Sequence, residues 1–232
     1  MDNSFKRGLL HGVPIMLGYL SVAFGFGIVS VKLGLPAISA VIISLTNLTS
    51  AGQTAGVEII SAQGSFIELA LAQLIINVRY SLMGFSLSQK LDDGFTTPIR
   101  MLTSFGITDE IYAVAISQPN KITRRYMYGL ILLPWLGWTT GTALGALAGS
   151  LLPESVSNAM GIVLYGMFLA IVLPPAKKDK RILLVVVTAI GLSCIFKYLI
   201  PSITSGFAVI ICGIVASIVG ALACPLSEEE LE

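Results

Sequence analysis

The chain has 232 residues, 55% of them hydrophobic and only 12% charged, with a mean hydropathy of +0.87, whereas soluble domains average roughly 25% charged residues. That balance excludes a water-soluble globule. Fourteen Lys and Arg against thirteen Asp and Glu give a net charge of +1, which excludes the basic surface needed for nucleic acid.

A hydrocarbon core of roughly 30 Å needs about 20 helical residues, because only helices and closed barrels satisfy every backbone polar group in lipid. Behind the basic start Lys6-Arg7, Gly8–Val31 carries no charge for 24 residues. This is longer than a signal-peptide core of roughly 7–15 residues, so the run is expected to remain as a spanning helix. Further uncharged runs follow at Leu33–Val57, Tyr126–Pro153, Ser155–Ala176 and Tyr198–Ser227. Three interrupted ones are Ser65–Gln89, with Glu68 and Arg79; Met101–Gln118, with Asp109 and Glu110; and Ile182–Ile200, with Lys197. The expected fold is an all-α integral membrane protein, a polytopic bundle of about eight spans, or seven if Met101–Gln118 or Ile182–Ile200 fails to cross.

With a cytoplasmic N-terminus, eight crossings place Lys6, Arg7, Lys121, Arg124, Arg125, Lys177, Lys178, Lys180 and Arg181 inside, and Lys32, Lys90 and Arg100 outside. The asymmetry follows the positive-inside rule, and the acidic tail Glu228–Glu232 is then cytoplasmic as well. Lys6-Arg7 recurs as Arg124-Arg125, Pro14 as Pro134, Gly34-Leu35-Pro36 as Leu151-Leu152-Pro153, and Arg79-Tyr80 as Lys197-Tyr198. The echo suggests one transmembrane domain, 1–232, built from two related four-span halves, 1–120 and 121–232.

Ionised groups at hydrocarbon depth usually face a cavity or one another. At 100° per residue, Glu68, Arg79 and Ser86 fall within about 20° of one another, while Gln73, Asn77 and Tyr80 cluster opposite, which makes this helix central. Glu68 and Arg79 are roughly 16 Å apart along the axis and cannot pair; Glu68 is expected at the cytoplasmic end, in water. In Gly106-Ile107-Thr108-Asp109-Glu110, a glycine precedes a capping residue and two acids, the signature of a helix start, here within the membrane as a broken helix. Leu33–Val57 carries Asn47, Thr49, Ser50, Gly52, Gln53, Thr54 and Gly56, small and amide residues that permit close backbones and neutral hydrogen bonds. Gly137, Gly141, Gly145 and Gly149, four apart, read as a packing surface; Trp135 and Trp138 as interface anchors; and His11 as a solvated interfacial imidazole.

Cys194, Cys212 and Cys224 form no C-x-x-C pair and His11 is the single histidine, so no metal, haem, disulfide framework or other cofactor is expected. No H-E-x-x-H, G-x-S-x-G or Walker loop occurs, which disfavours an enzyme or an autonomous ATP-driven pump. Passage of a solute, or a non-transporting scaffold or sensor, remains. One deep cation, adjacent acids, amides and aliphatic walls suit a small neutral amino acid. Arg79 or a broken-helix N-terminus would take the carboxylate and Asp109 or Glu110 the ammonium, and buried acids could also exchange protons. A channel or facilitator for another small neutral metabolite is the competing reading.

The following motifs together resemble the AzlC family of branched-chain amino acid permeases over nearly the whole chain: Gly12-Val13-Pro14-Ile15 with Gly18 and Phe24-Gly25; Leu33-Gly34-Leu35; Ala51-Gly52-Gln53; Asn77-Val78-Arg79-Tyr80; Thr108-Asp109-Glu110-Ile111-Tyr112-Ala113; and Gly137-Trp138 with Gly141 and Gly145. The resemblance implies export of branched-chain and some other hydrophobic amino acids across the bacterial inner membrane, azaleucine resistance, and a small membrane partner of the AzlD type. It makes Gln53, Asn77, Arg79, Thr108, Asp109 and Glu110 the recurring polar positions; with Asn47 and Tyr80 they form the expected substrate-binding and ion-coupling set. Two departures stand out. The family usually has Phe-Ala-Gly-Ala-Ser-Gln where this chain has Leu48-Thr49-Ser50-Ala51-Gly52-Gln53, and a His where Tyr80 stands.

Overall fold

The structure, a computed structural model, describes residues 4–149 and 153–223. The Leu151-Leu152 part of the echo, Cys224 and the tail Glu228–Glu232 lie outside them. Among the described residues the regular elements are all helices: α1 (Phe5–Lys32), α2 (Ala37–Thr46), α3 (Ala51–Ser61), α4 (Phe66–Ser88), α5 (Thr97–Ser104), α6 (Asp109–Ile116), α7 (Arg124–Ala148), α8 (Glu154–Lys178), α9 (Lys180–Leu199) and α10 (Ser205–Ala223). Of these, α1, α4, α7, α9 and α10 are long and apolar enough to cross a bilayer. The chain forms a helical membrane protein.

Two compact units divide it. The first takes the chain up to Val57 and again from Asn77 to Leu164; the second takes Glu58–Ile76 and the chain from Tyr165 onward.

The first unit is organised on α1 and α7. The Ser4 and Thr123 hydroxyls cap their starts, accepting from Arg7 N and Tyr126 N. The two helices run parallel in close contact, with Met16 against Gly137, Leu20 against Gly141 and Phe24 against Gly145. A β-carbon at Gly145 would overlap the Phe24 backbone, and one at Gly27 the Thr142 carbonyl. The four-spaced glycines are thus a packing surface, as expected. α1 then ends on a left-handed Gly34 (φ 89°), with Leu35 N–H returning to Ser30 O at 3.1 Å.

Two expected spans are not continuous helices. Leu33–Val57 breaks at Asn47–Ser50, where Asn47 Oδ1 accepts from Thr49 N–H at 2.8 Å and Ser50 takes a left-handed φ of 45°. Both features compete with helix continuation, since a short polar side chain offers the backbone another partner and a left-handed residue reverses its course. α2 leads to this break alongside α7, and across the break Gln53 at the start of α3 donates from Nε2 to Ser44 Oγ of α2 at 3.3 Å.

Met101–Gln118 is likewise two helices, α5 and α6, each of eight residues and about 12 Å long against the roughly 30 Å of a bilayer core. Its ends stay on one side. Leu91, just past α4, bridges to Ile122, just before α7, through Ile122 N–H to Lys90 O (2.9 Å) and Asp92 N–H to Ile122 O (3.0 Å). Lys90 also donates from Nζ to the Ile116 carbonyl at the end of α6. The segment 92–122 therefore returns to the side it left. The expectation that Met101–Gln118 crosses, with Lys90 and Arg100 opposite Lys121 and Arg124, is overturned. Leu87, Phe95, Ile111, Ile122, Tyr126 and Met127 form a buried core around this junction.

In the second unit α9 packs on α10, and Ile59, Ala72 and Ile210 make a small core. Glu68 is only 3% exposed there. It accepts from Gly206 N–H at 3.1 Å and from the Thr204 hydroxyl, and so caps the start of α10. The expected solvated Glu68 is corrected: its carboxylate is buried because orphan N–H groups of a helix start provide donors in place of water.

Candidate functional site

The site grows from the start of α6. Thr108 is its N-cap, with Oγ1 accepting from Ile111 N–H at 3.3 Å, so the helix begins where the sequence motif places it. The cap fixes Asp109 and Glu110 in the first turn, where the helix dipole favours acids. Arg79, in the middle of α4, donates from Nη1 to Asp109 Oδ2 at 2.6 Å. It also donates from Nη2 to Tyr80 OH at 3.3 Å, with its guanidinium 5.0 Å from the Tyr80 ring centre. The deep cation and the first acid are thus bonded to each other, while their side chains remain 44% and 38% exposed. Asn77, two positions before Arg79, is half-buried. About one turn beyond the Thr108 cap, α4 and α6 stay tied: Ser86 Oγ lies 2.9 Å from Tyr112 OH.

Glu110 has a different partner. Tyr19, central in α1, places its hydroxyl 2.5 Å from Glu110 Oε2 and 2.6 Å from Thr108 Oγ1. Its ring meets Trp138 of α7 edge-on at 5.3 Å, and both pack with Leu48 at the α2–α3 break. Tyr19 and Trp138 therefore join the two breaks into one region. At the first break, Ser44 Oγ lies 2.7 Å from Thr142 Oγ1 and accepts from Gln53 Nε2 at 3.3 Å. Gln53 is 98% buried, and its Oε1, with the hydroxyls of Thr49 and Ser50, has no partner among the described residues. Buried polar atoms ordinarily do, so these three leave hydrogen-bonding capacity open at the break.

Of the expected residues, Arg79, Tyr80, Thr108, Asp109 and Glu110 converge at the second break, and Asn47 and Gln53 stand at the first. Tyr19, Ser44, Thr142 and Trp138 were not anticipated. A tyrosine midway along an apolar span, away from the interfaces where tyrosines gather, was the available signal for Tyr19. The tryptophans are corrected: Trp138 is 1% exposed in mid-helix, and Trp135 donates to the Leu45 carbonyl at the end of α2 (2.9 Å), so neither is an interface anchor. His11 is half-buried with Nδ1 2.7 Å from Tyr126 OH, not simply solvated.

The description "AzlC protein" belongs to the family model that matches residues 14–152, which contain both breaks. The chain is 32% identical to an uncharacterized membrane protein of Archaeoglobus fulgidus over 75% of its own length and 76% of the relative's. It is 27% identical to the inner membrane protein YgaZ of Escherichia coli K12, over 94% and 91%. To the branched-chain amino acid transport protein AzlC of Bacillus subtilis 168 it is 23% identical, over 77% and 70%. No solved structure matches it. A transport role in the membrane, not catalysis, is what these likenesses support, and by the matched model the chain belongs to the AzlC family.

Proposed function

We propose that the protein exports small neutral amino acids, branched-chain ones foremost, across the bacterial inner membrane, coupled to protons or another ion and working with a small AzlD-type membrane subunit. One observation carries this reading: Arg79 and Asp109 pair at the middle of a long apolar helix while keeping more than a third of their side-chain surface open. A charge at that depth facing lipid costs about 2.5–3.5 kcal/mol on insertion scales, so the open flank borders water, solute or protein. Arg79 and the helix starts at Ala51 and Asp109 would attract a carboxylate. Asp109 would meet an ammonium; Asn47, Gln53, Asn77, Tyr80 and Thr108 would give neutral hydrogen bonds; and Asp109 and Glu110 would serve ion coupling. The branched-chain amino acid transport protein of Bacillus subtilis, as a relative, supports the substrate class.

In place of eight crossings we propose six, α1, α4, α7, α8, α9 and α10, with α2–α3 and α5–α6 as re-entrant hairpins from opposite faces. Both termini are then cytoplasmic. Lys90 and Arg100 join Lys6, Arg7, Lys121, Arg124, Arg125, Lys177, Lys178, Lys180 and Arg181 inside, leaving Lys32 and Lys197 toward the outside, a stronger asymmetry than eight crossings give. The parallel packing of α1 on α7 at an offset near 120 residues supports kinship of those two helices. In six crossings α4 and α9 run in opposite directions, so within the single domain we restrict the repeat to α1 and α7.

A panel of radiolabelled amino acids in vesicles bearing the full chain, with and without a candidate AzlD-type subunit, tests the function. Branched-chain amino acids should accumulate against their gradient when a pH gradient is imposed. Mere equilibration would instead favour a channel, and no amino-acid flux in either preparation would contradict the reading.

A further inference from the structure

The transport reading places two acids beside one cation, and the geometry separates their roles. Asp109 is engaged by Arg79 at 2.6 Å, a charge-assisted bond that neutralises both. Glu110, the next residue, is met by a neutral donor, the Tyr19 phenol at 2.5 Å. The titratable and charged groups facing it are Tyr19 from α1, Arg79 and Tyr80 from α4 and Asp109 within α6; α7 contributes Trp138, which does not titrate. With one positive and two negative charges in the cluster, the uncompensated charge belongs to Glu110.

Resting on that reading, we propose that Glu110 takes up and releases the coupling proton, that Asp109 serves as the fixed counter-charge of Arg79, and that Tyr19 is a positioning residue that responds to the protonation of Glu110. The phenol has one proton and two acceptors in reach, Glu110 Oε2 at 2.5 Å and Thr108 Oγ1 at 2.6 Å. While Glu110 is ionised, the Tyr19 proton points to its carboxylate. When a hydronium ion on one side gives its proton to Glu110 and leaves as water, the new carboxyl O–H donates to Tyr19, whose own proton swings to Thr108 Oγ1. Release to a water on the other side reverses both rotations. Thr108 caps α6, and the Tyr19 ring rests on Trp138 and Leu48 of the first break, so this swing is felt at both breaks.

The test uses the full chain in vesicles with radiolabelled L-leucine, a dye reporting internal pH, and infrared difference spectra taken through a pH titration. Glu110→Gln should abolish pH-driven leucine accumulation, leave any residual leucine flux unaccompanied by proton movement, and remove a protonated-carboxyl band. Asp109→Asn should retain that band. Tyr19→Phe should move the pH profile of the band and of accumulation upward by about one unit, since the ionised carboxylate loses a donor, a shift that a merely structural role would not produce. Leucine accumulation that survives in Glu110→Gln, coupling lost in Asp109→Asn alone, or accumulation that follows a sodium gradient instead would overturn the proposal. If the unmodified protein moves no leucine, the transport reading fails by itself. The infrared titration then decides: a titrating band lost in Glu110→Gln sustains the assignment, and no band, or one indifferent to that change, refutes it.

Discussion

Arg79 and Asp109 were legible because a charge inside an apolar run has few acceptable surroundings; their mutual bond was not, since 30 residues separate them and only the folding back of α5 and α6 joins them. Losing either partner strands the other, so Asp109→Asn and Arg79→Gln should each lower transport sharply. The double variant should be no worse than either single one, a non-additivity that a double-mutant cycle on leucine flux measures. Tyr19, Ser44 and Thr142 left almost no trace in the sequence, because a hydroxyl in a helix can bond its own i−4 carbonyl and carries no periodic signal of a distant partner. Trp138 was misread for a related reason: two tryptophans near a predicted span end resemble an aromatic belt, whereas the edge-on contact with Tyr19 and the stacking on Phe26 exist only once α1 lies on α7. Trp138→Ala should destabilise the protein in detergent by about 3–5 kcal/mol. Trp135→Phe, which loses one hydrogen bond to Leu45 O, should cost about 1 kcal/mol in the same unfolding assay.

At the scale of elements, the start of α6 could be read because a capping threonine and two acids announce it. The break in Leu33–Val57 was concealed by 25 uncharged residues that satisfy a hydropathy criterion for one span. What separates α2 from α3 is local geometry, the Asn47 turn and the left-handed Ser50. Ser50→Gly should therefore preserve thermal stability, while Ser50→Val, β-branched at a positive φ, should lower it. The glycine row on α7 was legible as a packing surface, but its partner was not. Gly145→Ala should disrupt α1–α7 packing and lower yield and melting temperature, because the new methyl would meet the Phe24 backbone. At Gly18 none of the described residues would meet an added β-carbon within 4 Å, so Gly18→Ala should be neutral or stabilising by up to about 1 kcal/mol.

For the whole molecule, hydropathy marked the apolar segments but could not tell a crossing from a return, because two half-length helices and one full helix have the same composition. The junction of Leu91 with Ile122 decides it, through backbone bonds that no residue pattern encodes. With the native cysteines replaced, single cysteines at Asp93 and Lys121 should react with an impermeant maleimide from the same side of inner-membrane vesicles; labelling from opposite sides would restore a crossing by Met101–Gln118. The central claim is that the two helix breaks border one solute-accessible site, and substrate protection tests it most directly. Cysteines placed singly at Thr49 and Ile107, one in each break, are labelled with a small permeant maleimide in the presence and absence of L-leucine. The account predicts that both positions react and that leucine slows both reactions, whereas leucine-independent labelling, or no reaction at either position, would contradict it.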